Sequence, residues 1–300
     1  MRKLPPEIAA AMPWPRRDIT VEGVRLSVVD AGPRDAAPLV LLHGNPTWSY
    51  LYRKLVGPLV AAGHRVVVLD HAGFGLSEKP TDPRYYSLER HAENLRAVLA
   101  ALDVRDATLV LHDWGGPIGM TWATREPQRV KRILVCNTVA FAPKRKRAFT
   151  RWHALFASPL GYQLGVRLDL VRATAMRGGV RRPLSREARR AYAWPMREKG
   201  GRVAAARFVQ MVPDGPDHPE AATLREAEAR FPLLSHAPVH VLWADRDPVM
   251  PPRLAERWRE SGLAVESVEH VAPDAGHFWQ EDAPEAFLRR IQDILSSHDP

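Results

Sequence analysis

The sequence predicts an α/β fold, a mostly parallel central sheet with helices on both faces and an inserted helical cap. Three observations carry this reading. Short apolar runs alternate with amphipathic segments through the first 139 residues, the alternation resumes at Val239, and the strand signal is missing between about 140 and 234. A chain of 300 residues buries roughly three quarters of its unfolded surface, enough for one large unit carrying an insertion without a disulfide or metal staple.

Taken in order, Val24–Ala31 alternates with period two and reads as a strand. Pro38–Leu42 is continuously apolar, as a strand covered on both faces must be, and 50–62 follows as a helix. A second buried-type strand falls at 65–70 and an amphipathic helix at 88–102. Residues 107–111 form a third apolar run, with a helix-like segment at 115–123 and another strand at 130–137. Helical patches at 151–156, 162–175, 186–192 and 202–211 are then separated by prolines and glycines. Strands at Val239–Ala244 and 265–271 alternate with helices at 254–261 and 286–295. This places a main domain at 1–139 and 234–300 and a helical cap at 140–233. Chemistry in such a sheet belongs at the carboxyl ends of the strands.

Composition narrows the function class. The formal charge of +9 is concentrated in the middle third, at Lys144, Arg145, Lys146, Arg147, Arg151, Arg181, Arg182, Arg186, Arg189 and Arg190. No aromatics interleave with these residues and no nucleic-acid motif accompanies them, so no nucleic-acid partner is expected. They read as solvated helix faces, with an acidic partner or an anionic lipid surface as the alternative. The single cysteine, Cys136, sits in an apolar strand and suits a reducing compartment. No Cys/His pair has zinc spacing, so neither metal nor cofactor is expected. Arg2 and Lys3 precede only a short apolar stretch at 8–12, too little for a signal peptide. No run approaches the ~20 apolar residues of a membrane span, and the expected location is cytoplasmic.

The most informative stretch is Leu111-His112-Asp113-Trp114-Gly115-Gly116. A strand leads in, a helix leads out, and a carboxylate sits at the turn, the arrangement of a nucleophile elbow with aspartate in place of serine. A carboxylate is ionised at neutral pH and attacks an electrophilic carbon without first losing a proton. Trp114 supplies an indole N–H, a donor with no acceptor character, suited to an anionic leaving group. His43-Gly44-Asn45-Pro46-Thr47-Trp48 follows the strand Pro38–Leu42. Its backbone N–H at Asn45, with that of Trp114, forms a candidate oxyanion hole, and the Asn45 amide is a second leaving-group donor. The plain alternative is that Asn45 only makes the turn.

A strand end at Leu242-Trp243-Ala244-Asp245-Arg246-Asp247 offers two acids to orient a histidine, Asp247 and Asp245. Asp245 is read as a loop cap or an arginine partner. Of the twelve histidines, His277 alone sits late and behind a glycine, in the order nucleophile, acid, histidine, and it is the candidate general base. His112 is read as a packed neighbour and His43 as a support of its loop. No Asp or Glu occurs between Gln128 and Arg167, which closes the other strand end as a source of the acid.

These residues together resemble the haloalkane dehalogenases of the α/β-hydrolase superfamily. The likeness runs through His43 to Arg53 (HGNPTWSYLYR), Asp70 to Pro80 (DHAGFGLSEKP), His112 to Gly119 (HDWGGPIG), Trp243 to Val249 and Gly276 to Pro284, about two thirds of the chain. Asn45 with Trp114, and the acid at Asp247, is similar to the third subgroup of that family. Asn137 to Phe141, Arg182 to Ser185 and Arg207 to Gln210 also resemble the β-lactone decarboxylases of bacterial olefin synthesis. The resemblance implies an α/β-hydrolase fold and a small apolar substrate. It also implies displacement of halide by Asp113 and hydrolysis of the resulting ester by water activated through His277 and Asp247. The alternative it implies is decarboxylation of a β-lactone at the same aspartate. Epoxide hydrolysis, aided by Tyr162 or Tyr192, and a non-catalytic receptor are more distant readings. Trp152 and Trp194 are open between pocket lining and packing, and a homo-oligomer or a pathway protein is open as a partner.

Overall fold

The computed structural model describes residues 4–146 and 148–297, so Arg2, Lys3 and Arg147 lie outside the described residues. Among these residues one sheet of eight strands forms. They are β1 (Arg16–Val21), β2 (Val24–Ala31), β3 (Pro38–Leu42), β4 (Arg65–Leu69), β5 (Ala107–His112), β6 (Val130–Cys136), β7 (Val239–Ala244) and β8 (Val265–Ala272). Their order across the sheet is β1-β2-β4-β3-β5-β6-β7-β8, with β2 antiparallel to β1 and to β4 and every later pairing parallel. Every residue of β3, β4, β5 and β7 is buried, which is why these strands read as largely apolar runs. Edge strand β1 (RRDITV) has no buried residue, so it carries no apolar run and the sequence reading passes over it.

Helix Arg53–Ala61 carries the chain from β3 to β4 on one side, while helix Gly115–Arg125 carries it from β5 to β6 on the other. The neighbouring ends of β3 and β5 are therefore the point where the strand order reverses and a crevice opens. The long helix Leu88–Ala101 starts at Ser87, whose hydroxyl accepts the Arg90 N–H at 3.1 Å, and it buries Leu88, Ala92, Leu95, Val98 and Leu99.

Between β6 and β7 run the helices Arg151–Ala157, Pro159–Leu168, Leu170–Gly178, Arg186–Ala193, Lys199–Gln210 and Pro219–Ala229. The helix read from sequence at 162–175 is two helices. The break is Asp169, at φ +56°, a left-handed conformation that aspartate tolerates better than most residues. The helix Pro219–Ala229 was not expected from sequence, and it packs on Leu88–Ala101 and Gly115–Arg125 of the sheet layer. Other inserted helices are tied to the sheet layer by hydrogen bonds, several of them to the main chain of the insertion. Trp48 Nε1 donates to the Ala191 carbonyl at 3.2 Å, and the Phe278 N–H donates to the Gly179 carbonyl at 3.0 Å. No helix among the described residues is long and apolar enough to cross a membrane.

Candidate active site

Asp113 follows β5 directly and takes φ +49°, a left-handed backbone that non-glycine residues adopt at a cost of order 1–3 kcal/mol. The turn is held by two hydrogen bonds to one oxygen. The Gly116 N–H donates to the Asp113 carbonyl at 2.9 Å, and the Thr138 hydroxyl donates to the same oxygen at 2.5 Å. A Cβ at Gly115 would strike the Leu42 carbonyl, and one at Gly116 would strike the Thr138 hydroxyl. The turn is tight because these two positions are glycine.

The Asp113 carboxylate has two differently placed oxygens. Oδ1 accepts the Asn45 backbone N–H at 2.7 Å, while Oδ2 lies 3.4 Å from His277 Nε2. Gly44 is required here, since a Cβ there would overlap the carboxylate itself. The loop carrying Asn45 is pinned by two histidines. The His71 N–H donates to His43 Nε2 at 3.1 Å, which leaves the His43 proton on Nδ1, facing the Gly44 carbonyl at 2.9 Å. His71 Nε2 in turn donates to the His43 carbonyl at 3.1 Å. Burial holds both imidazoles below their ordinary range, so they serve as neutral struts.

His277 Nδ1 donates to Asp247 Oδ2 at 2.7 Å. The Asp247 carboxylate also accepts Asn137 Nδ2 at 2.9 Å, and the backbone N–H groups of Val249 at 2.7 Å and Met250 at 2.9 Å. Its lone pairs are thus well satisfied in a buried place, which fixes the imidazole ring. His112 Nε2 donates to the His277 carbonyl at 2.8 Å, so the packed neighbour read from sequence also braces the histidine loop. Asp282 braces it further. Its buried carboxylate accepts the N–H groups of Gly276, Arg181 and Arg182, each near 2.9 Å. One carboxylate therefore joins the histidine loop to the inserted helices.

Electrostatics follow from this placement. Burial alone would depress the His277 imidazole, but the Asp247 carboxylate and then Asp113 overcome it and raise the group to about 10. Burial raises the Asp113 carboxyl, yet the hydrogen bond and charge of His277, with the Trp114 backbone N–H, hold it below the usual carboxylate range. With Asp113 ionised, His277 is a cation between two carboxylates. The Asn45 N–H donates to the carboxylate directly, and the Trp114 N–H adds to its electrostatic stabilisation.

The five residues singled out from sequence, Asp113, His277, Asp247, Asn45 and Trp114, converge at the carboxyl ends of β3, β5, β7 and β8. The other candidates have partners of their own. The Asn45 side-chain amide donates to the Ala205 carbonyl of the insertion at 3.1 Å, which leaves its second N–H as the one available to a leaving group. Asp245 meets His270 at 2.5 Å and not an arginine. Trp152 Nε1 donates to Thr174 Oγ1 at 2.8 Å and its ring packs on Phe156, so its N–H is engaged within the insertion. Trp194 is buried with its ring 6.4 Å from that of Trp48. The buried Tyr192 hydroxyl donates to Glu281 at 2.6 Å, and Tyr162 lines an outer groove with Pro83 and Arg207. Asn137, Thr138 and Asp282 were not singled out. Only Asn137 left a signal, as the polar residue at the strand end that lacks an acid.

Residues 37–284 match the family model described as alpha/beta hydrolase fold. Among curated proteins the chain is 34% identical to the cis-3-alkyl-4-alkyloxetan-2-one decarboxylase of Shewanella oneidensis, over 95% of this chain and 89% of the relative. It is 35% identical to a haloalkane dehalogenase of Mycolicibacterium paratuberculosis, over 89% of this chain and 86% of the relative. Among solved structures, the tetrameric haloalkane dehalogenase DpaA from Paraglaciecola agarilytica superposes with a TM-score of 0.79 at 28% identity, covering 92% of this chain and 91% of that one.

Proposed function

We propose that this chain, which belongs to the alpha/beta hydrolase fold family, is a haloalkane dehalogenase-type hydrolase with Asp113 as its nucleophile. The observation that carries the reading is the asymmetry of the Asp113 carboxylate. One oxygen is held by the Asn45 N–H at 2.7 Å, and the other faces His277 Nε2 at 3.4 Å. In this reading Oδ2 attacks the halogen-bearing carbon in line, the carbon–halogen bond breaks, and an alkyl ester forms on Asp113. The Trp114 indole N–H and the free N–H of the Asn45 amide receive the halide.

Esterification also sets the timing of the second step. It removes the negative charge of Asp113, one of the two charges that hold the proton on His277. The proton leaves, and the neutral imidazole, oriented by Asp247, takes a proton from water as hydroxide adds to the Asp113 carboxyl carbon. The N–H groups of Asn45 and Trp114 stabilise the tetrahedral oxyanion, a contribution of roughly 3–4 kcal/mol in comparable sites. Collapse breaks the bond between that carbon and the alcohol oxygen, and His277 returns its proton to the departing alcohol. The balance is haloalkane plus water to alcohol, halide and a proton.

A single turnover in heavy-oxygen water tests this. The isotope should appear in the Asp113 side chain and not in the alcohol; unlabelled Asp113 beside labelled alcohol would refute the ester route. A second reading, β-lactone decarboxylation to an alkene and carbon dioxide at the same aspartate, is supported by relatives of that name at 34% and 32% identity. Separate incubations with 1,2-dibromoethane and a cis-disubstituted long-chain β-lactone divide the two by the release of bromide or of alkene. We also take 140–233 as the cap that selects a small apolar substrate, the cytoplasm as the location, and a homo-oligomer as the assembly, the last by analogy with the tetrameric neighbour.

A further inference from the structure

The charge of this protein resides in one part of the insertion. Residues 144–199 hold fifteen basic and three acidic residues, a net of +12, and since the whole chain carries +9 the remainder is −3. The three acids there are Asp169, Glu187 and Glu198. Asp169 pairs with Arg172 at 2.5 Å, and Glu198 pairs with Lys79 of the sheet layer at 3.3 Å. Helix Arg186–Ala193 buries Ala188, Ala191 and Tyr192 and leaves Arg186, Arg189 and Arg190 exposed. Self-repulsion of this density works against the compact state, and an anionic surface outside the chain would offset it.

The same region exposes aliphatic side chains. Leu160, Leu168 and Leu155 are 67%, 61% and 47% exposed, on the packed helices Arg151–Ala157 and Pro159–Leu168. Leu160, the half-buried Leu164 and Leu168 recur at four-residue spacing and so share one helix face. Exposed Arg151 and Arg167 lie on the same two helices. Leucine beside arginine on short surface helices is the composition of an interfacial surface, with leucines entering the acyl boundary and guanidinium groups meeting phosphate. A protein partner would call for an aromatic centre, and the large apolar residues most exposed here are leucines.

We propose that the outer face of helices Arg151–Ala157 and Pro159–Leu168, within the basic segment 144–199, docks on an anionic lipid bilayer. The enzyme would then sit where an apolar substrate is most concentrated. The inference does not depend on which reaction Asp113 performs, because vesicle binding is measured without turnover.

The test is co-sedimentation of the full chain with vesicles of phosphatidylcholine alone and of phosphatidylcholine mixed with phosphatidylglycerol, at low and high salt. Binding should require the anionic lipid and fall steeply with salt. The pair Arg151→Gln/Arg167→Gln should weaken it roughly tenfold or more. The pair Leu160→Gln/Leu168→Gln should weaken it by a similar factor. Circular dichroism and melting of each variant check folding, and the parent protein alone decides the lipid and salt dependence. Absence of binding to anionic vesicles at low salt overturns the proposal, as does equal binding to neutral vesicles. Either pair binding like the parent also overturns it. Capture by polyglutamate without vesicle binding would do the same and would assign the face to an acidic protein.

Discussion

The carboxyl end of the sheet and the inserted helices above it are held by different means. At the sheet end, side chains fix side chains. Asp247 accepts from His277, Asn137, Val249 and Met250, and Asp113 lies between the Asn45 N–H and His277. In the insertion, main-chain carbonyls at Ala205 and Gly179 meet the site beside the Phe208 ring, which packs on Trp114, and the outer surface is rich in arginine with several exposed leucines. The difference separates two tasks. A reaction needs atoms within a few tenths of an ångström, and the sheet end supplies that. Selection among substrates, the task proposed for the insertion, needs only a shape, which helices can change residue by residue.

The largest effect falls on Asp113. Asp113→Ala should abolish bromide release from 1,2-dibromoethane, a fall on the order of 10⁴-fold or more, measured by halide assay. A residual rate within tenfold of the parent would move the nucleophile elsewhere. Next in size is the histidine. His277→Ala should leave the first displacement intact and block release, so intact-protein mass should rise by the alkyl group and stay there. An unmodified mass during exposure to substrate would count against the ester.

Asp282 tests whether the two regions are one mechanical unit. Asp282→Ala orphans the N–H groups of Gly276, Arg181 and Arg182 in a buried place, and chemical denaturation should show a loss of about 3 kcal/mol. A change under 0.5 kcal/mol would show that water replaces the carboxylate and that the joint is loose. The smallest effect belongs to the insertion. Trp152→Phe should alter bromide release by less than about twofold, since the indole N–H already serves Thr174. A large loss there would make the insertion part of the leaving-group site.

Acid–base behaviour sharpens the same contrast. His277 is raised to about 10 from an ordinary 6.5, so its contribution to folding is complete below pH 6.5 and is lost as pH climbs through 10. His277→Gln should remove that slope from stability measured between pH 7 and 10. In the parent, ester formation should release a proton before alcohol appears, seen with an indicator dye in stopped flow. Proton release coincident with alcohol would place the ionisation later.

What the sequence made legible follows the same division. Buried parallel strands are continuous apolar runs, so β3, β5 and β7, and the residues just past them, could be read directly. Asp113, Asp247 and His277 each follow a strand end at a sharp turn, where the residue type alone suggests chemistry. Asn137, Thr138 and Asp282 escaped because their partners are remote in sequence. Asn137 meets Asp247 across 110 positions, and Asp282 meets Arg181 across 101. No local pattern encodes such a pairing. The edge strand β1 escaped because it has no buried face, and the break at Asp169 escaped because the apolar spacing continues through it.

Asn45, Trp48, Phe278 and Asp282 all grip backbone atoms of the insertion. A peptide carbonyl or amide is the same atom whichever residue carries it. Drift in the overlying helices can therefore change the side chains above the site while these bonds stay put. That freedom gives a physical reason why one chain can be similar to relatives bearing two different catalytic names.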